Sequence, residues 1–129
     1  MANNYCQGSC ALKLEPHMLE GAKQIVENYI SELDGREEYV GIDVNVDEDG
    51  VWIRQDEVFE AEQAAELVQL LLNSLGIDEP FVFSWAYTCS KLRINEFGGG
   101  ACVVRRGKEP HFIDAMTQAY RYIKESGVE

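Results

Sequence analysis

The spacing of apolar residues switches between a helical and a strand period along the chain, and this alternation restricts the fold more than any other feature. Apolar residues recur at helical spacing over residues 19–33, and Gly35 is expected to end that helix in a left-handed conformation. From Tyr39 to Val46 they alternate instead, which predicts a strand with one dry and one wet face. Asp49-Gly50 is a hairpin signal, so residues 51–54 are expected to return as the neighbouring strand.

The same criteria predict the other elements. Asp56 suits the N-cap of the second helix, because its side chain can accept a hydrogen bond from a free backbone N–H. In chain order, these elements are a strand at Cys10–Leu14, a helix after Asp56 that ends at Gly76, strands at Phe81–Tyr87 and Ala101–Arg106, and a last helix from Pro110 to Gly127.

The resulting order, β-α-β-β-α-β-β-α, predicts an α/β (α+β) fold in a single domain spanning residues 1–129. Because hairpins alternate with the helices, we expect a two-layer sandwich, with a mixed or antiparallel sheet that carries the helices on one face. The first six elements have the ferredoxin-like order. A chain of 129 residues buries roughly two thirds of its unfolded surface, so its core needs no disulfide or metal.

The sequence also indicates a compartment. No apolar run reaches the roughly 20 residues that a membrane helix needs, and residues 1–5 lack the basic and apolar regions of a signal peptide. We therefore expect a cytoplasmic protein in which the cysteines at positions 6, 10, 89 and 102 are free thiols.

Negative charge is concentrated in the first part of the chain. Residues 1–79 contain 18 acidic and 4 basic side chains, a balance of −14, whereas residues 80–129 contain 5 acidic and 7 basic side chains, a balance of +2. The acidic part repels the phosphates of nucleic acids, so no direct nucleic-acid binding is expected. Its favoured long-range partner is a basic protein surface.

The connection from Thr88 to Gly100 is the least regular stretch. Gly98, Gly99 and Gly100 allow backbone conformations that are closed to other residues, and their N–H groups could form a nest for an anion. Cations near this run would strengthen such a site, and these are Lys91, Arg93, Arg105 and Arg106. The alternative interpretation is a glycine hinge at an edge strand, with solvated basic side chains.

Two segments of this region resemble a known group of proteins. Residues 83–91, Phe-Ser-Trp-Ala-Tyr-Thr-Cys-Ser-Lys, and residues 97–101, Phe-Gly-Gly-Gly-Ala, are similar to a family of small uncharacterised phage- and plasmid-borne proteins. Residues 5–8 and 64–69 look similar as well. The resemblance implies an accessory protein of a mobile element. It brings no catalytic residues, because no activity is established for that family.

Three further motifs suggest chemistry, and each has a simpler explanation. Cys89 is a candidate nucleophile that needs a base such as His111, although a cysteine after an aromatic strand is commonly a small buried apolar residue. Residues 6–10 hold one pair of thiols, but the second pair of a structural zinc site is missing, so no metal or other cofactor is predicted. Residues 45–50 nearly match a calcium loop and are better explained as an acidic hairpin turn.

Aromatic residues invite a comparison with RNA-binding sheets. The strand at Phe81–Tyr87 places its aromatic side chains on one face, as base-stacking platforms do, but a net charge of −12 favours core packing instead. Trp52 is expected on the open face beside Arg54, because Val51 and Ile53 take the dry face. An exposed tryptophan suits a protein interface.

Together these features favour a non-enzymatic acidic interaction protein of a mobile element, whose surface imitates nucleic acid. It would bind a basic, nucleic-acid-handling host protein and modulate or inhibit it. The alternative is a small enzyme or anion-binding domain centred on Cys89, Gly98–Gly100 and Arg105/Arg106, and a homodimer is left open. The candidate binding residues are Asp43, Asp47, Glu48, Asp49, Trp52, Glu57, Glu60, Lys91, Arg93, Gly98, Gly99, Gly100, Arg105 and Arg106.

Overall fold

Six strands and three α-helices make up the computed structural model, which describes residues 3–94 and 96–127. In chain order the elements are β1 (Asn4–Lys13), a 3₁₀ turn (Pro16–Met18), α1 (Leu19–Gly35), β2 (Asp43–Asp47), β3 (Gly50–Gln55), α2 (Ala61–Leu75), β4 (Phe81–Cys89), β5 (Gly98–Val104), β6 (His111–Asp114) and α3 (Ala115–Ser126).

The strands form one open antiparallel sheet in the order β2-β3-β1-β4-β5-β6. In this order β3 lies between β1 and β2, and β1 lies between β3 and β4. The first six elements are therefore two interleaved split β-α-β units, as in ferredoxin-like proteins, and β5 and β6 extend the sheet as a meander. The predicted α+β class is confirmed.

The core lies between one face of the sheet and the helices α1 and α2. Alternate residues of the strands point into it, because successive side chains of a strand face opposite ways. Leu12, Ile53, Phe83 and Val104 are all buried, and so is most of the predicted apolar stripe of α2. The apolar spacing of the sequence predicts this stripe as Ala64, Leu67, Val68, Leu71, Leu72 and Leu75, and all but the half-buried Leu75 are buried.

The second helix begins later than the sequence predicts. Its N-cap is Glu60, so the expected capping role of Asp56 is wrong. Residues 57–59 stay extended because they bond to β1: the Cys6 N–H donates to the Glu57 carbonyl at 2.8 Å, and the Phe59 N–H donates to the Cys6 carbonyl at 2.9 Å. The buried Phe59 ring packs over Gly8, where any side chain would collide with it.

Only part of the predicted strand 39–46 pairs in the sheet, because the strand begins at Asp43. The preceding residues are held by Gln63, which is buried on α2. Its side-chain oxygen accepts from the Gly41 N–H at 2.8 Å, and its nitrogen donates to the Tyr39 carbonyl at 2.7 Å. One glutamine thus satisfies two backbone groups that have no strand to pair with.

Two of the three glycines predicted to end helices do so in a left-handed conformation, and the third does not. Gly76 and Gly127 end α2 and α3 with φ of 68° and 70°. Gly35, in contrast, is the last residue of α1, and the left-handed residue in that loop is Glu37, with φ of 57°.

The C-terminal segment differs most from expectation. The predicted strand 101–106 is β5 at residues 98–104, and residues 111–114 form the additional strand β6 before the last helix begins at Ala115. Asp114 ends β6 and caps α3, because its carboxylate accepts from the Thr117 N–H at 3.0 Å and from the Thr117 hydroxyl at 2.9 Å. Pro110 therefore precedes a strand instead of opening a helix.

Candidate interaction surface

Carboxylates dominate the surface formed by the first part of the chain. All 18 acidic side chains of residues 1–79 are exposed. Within residues 3–94 and 96–127, only two of them form ion pairs: Glu38 with Arg36 at 3.7 Å and Asp78 with Arg106 at 2.9 Å. The other carboxylates are accordingly not neutralised by contact with lysine or arginine.

Within the sheet, the strand order converts the division of charge along the sequence into a division in space, although α2, which also comes from the acidic part, packs against β5. Strands β2, β3 and β1 lie together on one side of the sheet, α1 packs against β2 and α2, and all of them come from the acidic part. Strands β4, β5 and β6 come from the part whose balance is +2. We call the first region the acidic surface, which includes Glu20, Glu27, Glu32, Asp43, Asp47, Glu48, Asp49, Glu57, Glu60, Glu62 and Glu66.

The turn between β2 and β3 is acidic for a partly structural reason. The Asp47 carboxylate accepts from the backbone N–H groups of Asp49 at 2.8 Å and of Gly50 at 3.2 Å, which closes the turn. Glu48 and Asp49 are exposed, and their side chains make no hydrogen bond among the described residues. They remain free to face a partner.

Trp52 lies on the open sheet face, as predicted. Its indole N–H donates to the Ser9 hydroxyl at 2.9 Å, and the Arg54 guanidinium lies 3.6 Å from the ring centre. This stacking fixes Arg54, the one arginine within strands β1, β2 and β3, over an aromatic ring. A shallow concavity of about 600 Å³ adjoins the pair and is lined in part by Gln7, Ser9, Asp43, Arg54, Ser84 and Ala86.

The candidate basic residues do not form one site. Lys91 and Arg93 lie in the loop between β4 and β5, next to Leu92 and Ile94, which are 95% and 88% exposed. Arg105 and Arg106 follow the other end of β5, about 20 Å away at the strand's rise per residue. There Arg106 pairs with Asp78, and the Arg105 carbonyl accepts from Gln69 of α2 at 2.7 Å.

The three successive glycines belong to β5 and have no left-handed φ. An anion nest needs a turn conformation, so its geometry is absent from these strand residues. Packing explains two of the glycines: a side chain at Gly99 would meet the Trp85 carbonyl, and one at Gly100 would meet the Ile113 carbonyl and the Trp85 ring.

Cys89 and His111 lie at opposite ends of the sheet. Strand register aligns His111 with Val103, and Val103 with Val82, whereas Cys89 is seven residues further along β4. That displacement is about 23 Å along the strand. The two side chains therefore cannot form the nucleophile–base pair that the enzymatic alternative requires.

The remaining thiols face the core, where burial disfavours the thiolate. Burial raises the pKa of Cys10 to about 12 and the pKa of Cys102 to about 11. The pKa of Cys6 is raised by burial first and by the charge of Glu60 second. Protonated thiols of this kind are poor nucleophiles and poor metal ligands.

Alkylation of the native protein with iodoacetamide at pH 8 is expected to be slow at these sites. Relative to a thiol of pKa 9.0, the thiolate fraction is about 1000-fold lower at Cys10 and about 100-fold lower at Cys102. Mass spectrometry of timed digests gives the rates, with protein unfolded in guanidinium as the control. Equal rates in native and unfolded protein would contradict the burial of these thiols.

The same shifts predict a loss of stability in alkali. Because both pKa values are raised in the fold, the contribution of the protonated thiols is fully present below pH 9 and is lost as the pH rises toward 11 to 12.

A cleft of about 280 Å³ between α1 and α2 was not predicted. Tyr29 and Gln69 line it, and each contributes a buried oxygen without a protein hydrogen-bond partner among the described residues. Burial, followed by the charge of Glu66, raises the pKa of the Tyr29 hydroxyl. The sequence gives no signal for this cleft, since Tyr29 follows the core spacing of α1 and only the packing of two helices brings it beside Gln69.

Fold and surface together define a small α+β protein with an acidic face. Comparison of the chain with protein-family models, curated proteins and solved structures gave no match. Among the described residues, no helix combines the length and apolar character needed to cross a bilayer. The same residues include no cluster of three or more His, Cys, Asp or Glu side chains suited to a metal ion.

Proposed function

We propose that this chain is a non-enzymatic interaction protein of a phage or plasmid. Its acidic surface binds a basic, nucleic-acid-handling host protein in the cytosol and thereby modulates or inhibits it. One observation supports this proposal above all: the 18 carboxylates of residues 1–79 are all exposed, and within the described residues only Glu38 and Asp78 have a cationic partner.

Electrostatics support the choice of partner. Unpaired carboxylates of one sign produce a potential that attracts a cationic surface over roughly one Debye length, about 8 Å at physiological salt. Such a field accelerates encounter with basic proteins and opposes encounter with nucleic acids. A protein that holds DNA or RNA in a basic groove presents the matching surface, and an acidic protein can occupy that groove in place of phosphates.

The enzymatic alternative loses support from the geometry. Its proposed residues are distributed over both ends of β5, with Gly98–Gly100 at one end and Arg105 at the other. His111, the base proposed for Cys89, lies about 23 Å away along the sheet. The origin in a mobile element rests on the resemblance of residues 83–91 and 97–101.

Capture from a nuclease-treated bacterial lysate tests the proposal. Immobilised protein is expected to retain basic nucleic-acid-handling proteins at 50 mM salt and to release them near 500 mM. The captured protein, once purified, should release bound duplex DNA when the acidic protein is added. Capture of no basic protein at low salt, or capture that resists high salt, would refute the electrostatic mechanism.

A pair of double variants separates local charge from total charge. Glu20→Gln/Glu27→Gln removes two carboxylates from one face of α1 and should weaken binding about fivefold at low salt, or about 1 kcal/mol. Glu109→Gln/Glu125→Gln removes the same charge outside the acidic surface and should change affinity less than twofold. Equal effects of both variants would show that net charge alone governs binding.

A further inference from the structure

The last helix of the protein is formed but hardly packed. None of the 12 residues of α3 is buried, and its main contacts are with β5 and β6. An isolated helix of this length is marginal in water, because nucleation costs more than so few hydrogen bonds return. A 12-residue helix with a one-sided apolar face normally owes its stability to the surface that covers that face.

That apolar face is exposed here. Met116, Ala119, Tyr120 and Ile123 follow the spacing of helix neighbours and form a single stripe. Met116 is 48% exposed, Tyr120 66% and Ile123 41%. We call these residues, with the exposed Phe112 of β6 and Tyr122 of α3, the C-terminal patch.

Charge indicates which partner can cover the patch. Two copies of a chain with net charge −12 repel each other over most of their surface. Residues 111–127 contain two acidic and two basic side chains, so this segment is neutral. Copies that meet here keep their acidic surfaces apart, whereas any contact through α1 or β2 would oppose carboxylates to carboxylates.

The edge of the sheet favours the same contact. Strand β6 is an edge strand, and its free side offers unpaired backbone groups beside Phe112 and Ile113. The opposite edge, β2, is shielded by the exposed side chains of Asp43 and Asp47. Backbone pairing with another chain is therefore available at the neutral edge and opposed at the acidic one.

The patch is large enough to contribute substantially to an interface. Phe112, Tyr120 and Tyr122 are 43%, 66% and 72% exposed, which at about 200 Å² for each side chain amounts to about 360 Å². A stable interface buries about 800 Å² on each partner. Much of the remaining interface area would come from Met116, Ile123 and the backbone of α3 and β6.

We propose that the C-terminal patch is a homodimer interface, in which α3 and β6 of two copies pack about a two-fold axis. The arrangement is isologous: the stripe of one copy covers the stripe of the other, and Ala119 lets the two helices approach closely. The proposal does not depend on the acidic surface having a partner.

Sedimentation equilibrium of the full chain tests the proposal. We expect twice the chain mass of 14.6 kDa at tens of micromolar protein. Tyr120→Glu places a carboxylate within the stripe and should weaken dimerisation at least about tenfold. Arg121→Gln makes the net charge more negative by the same amount at an exposed position on the other side of the helix and should change the dimer dissociation constant less than about threefold.

The remaining outcomes contradict the proposal. A wild-type protein that stays monomeric up to about 1 mM has no such interface, and a Tyr120→Glu variant that stays as dimeric as wild type places the interface elsewhere. Because residue 120 is two-thirds exposed, the substitution leaves the core intact, and a thermal melt at low concentration verifies that the variant folds.

Discussion

Replacing Gln63 by methionine is expected to lower the free energy of unfolding by about 3 kcal/mol. The substitution keeps the length and volume of the side chain but removes both of its polar atoms. The Gly41 N–H and the Tyr39 carbonyl then lose their partners at 2.8 and 2.7 Å. A buried group left without a hydrogen bond costs about 1–3 kcal/mol, and the Gly41 N–H is the more deeply buried of the two.

Urea unfolding followed by circular dichroism measures this loss. The matched control is Gln24→Met on α1, where the exposed glutamine bonds only to Asn28, at 3.0 Å. That substitution should change stability by less than about 0.5 kcal/mol. A Gln63→Met variant as stable as its control would mean that residues 39–42 are held by other contacts.

Replacing Gly100 by alanine is expected to lower the free energy of unfolding by about 2–3 kcal/mol. The added methyl group would lie 2.6 Å from Cζ2 of Trp85 and would also collide with the Ile113 carbonyl. Backbone on one side and an indole on the other leave little freedom to relax, so strands β4, β5 and β6 would have to separate locally.

Gly98→Ala provides the comparison within the same glycine run. A methyl group there meets only Tyr87, at an ordinary contact distance of 3.6 Å, and φ is compatible with alanine. The free energy of unfolding of Gly98→Ala should equal that of the wild type or exceed it by about 0.5 kcal/mol, because alanine reduces the entropy of the unfolded chain. If both substitutions lowered the free energy of unfolding equally, close packing against Trp85 would not explain the three successive glycines.

Local periodicity was sufficient to predict the fold class and most of the core. The apolar spacing of residues 64–72 and the alternation around Ile53 and Phe83 depend on neighbours in the chain, and the structure buries these residues as expected. The four-residue strand β6 could not be predicted in the same way. Phe112 and Met116 are four residues apart and match a helix equally well, and only pairing with β5 keeps residues 111–114 extended.

Features that depend on contacts between distant segments were also missed. Asp56 has the chemistry of an N-cap, but the pairing of residues 57–59 with Cys6 delays the helix to Ala61. Gly99 and Gly100 suggest a flexible loop until Trp85 and Ile113 are placed against them. The division of charge was visible in the sequence, whereas the exposure of all 18 carboxylates of residues 1–79 and the scarcity of ion pairs among the described residues required the structure.

The unlike edges of the sheet limit how far copies of this protein can assemble. Pairing through β6 would occupy the sheet edge that is neutral and partly apolar, and it would leave a β2 edge bearing Asp43 and Asp47 at each end of the joined sheets. A third copy would have to add against those like charges. In the proposed dimer, growth into filaments would thereby be discouraged, and association through β6 would stop at a closed pair with its two most negative ends facing outward.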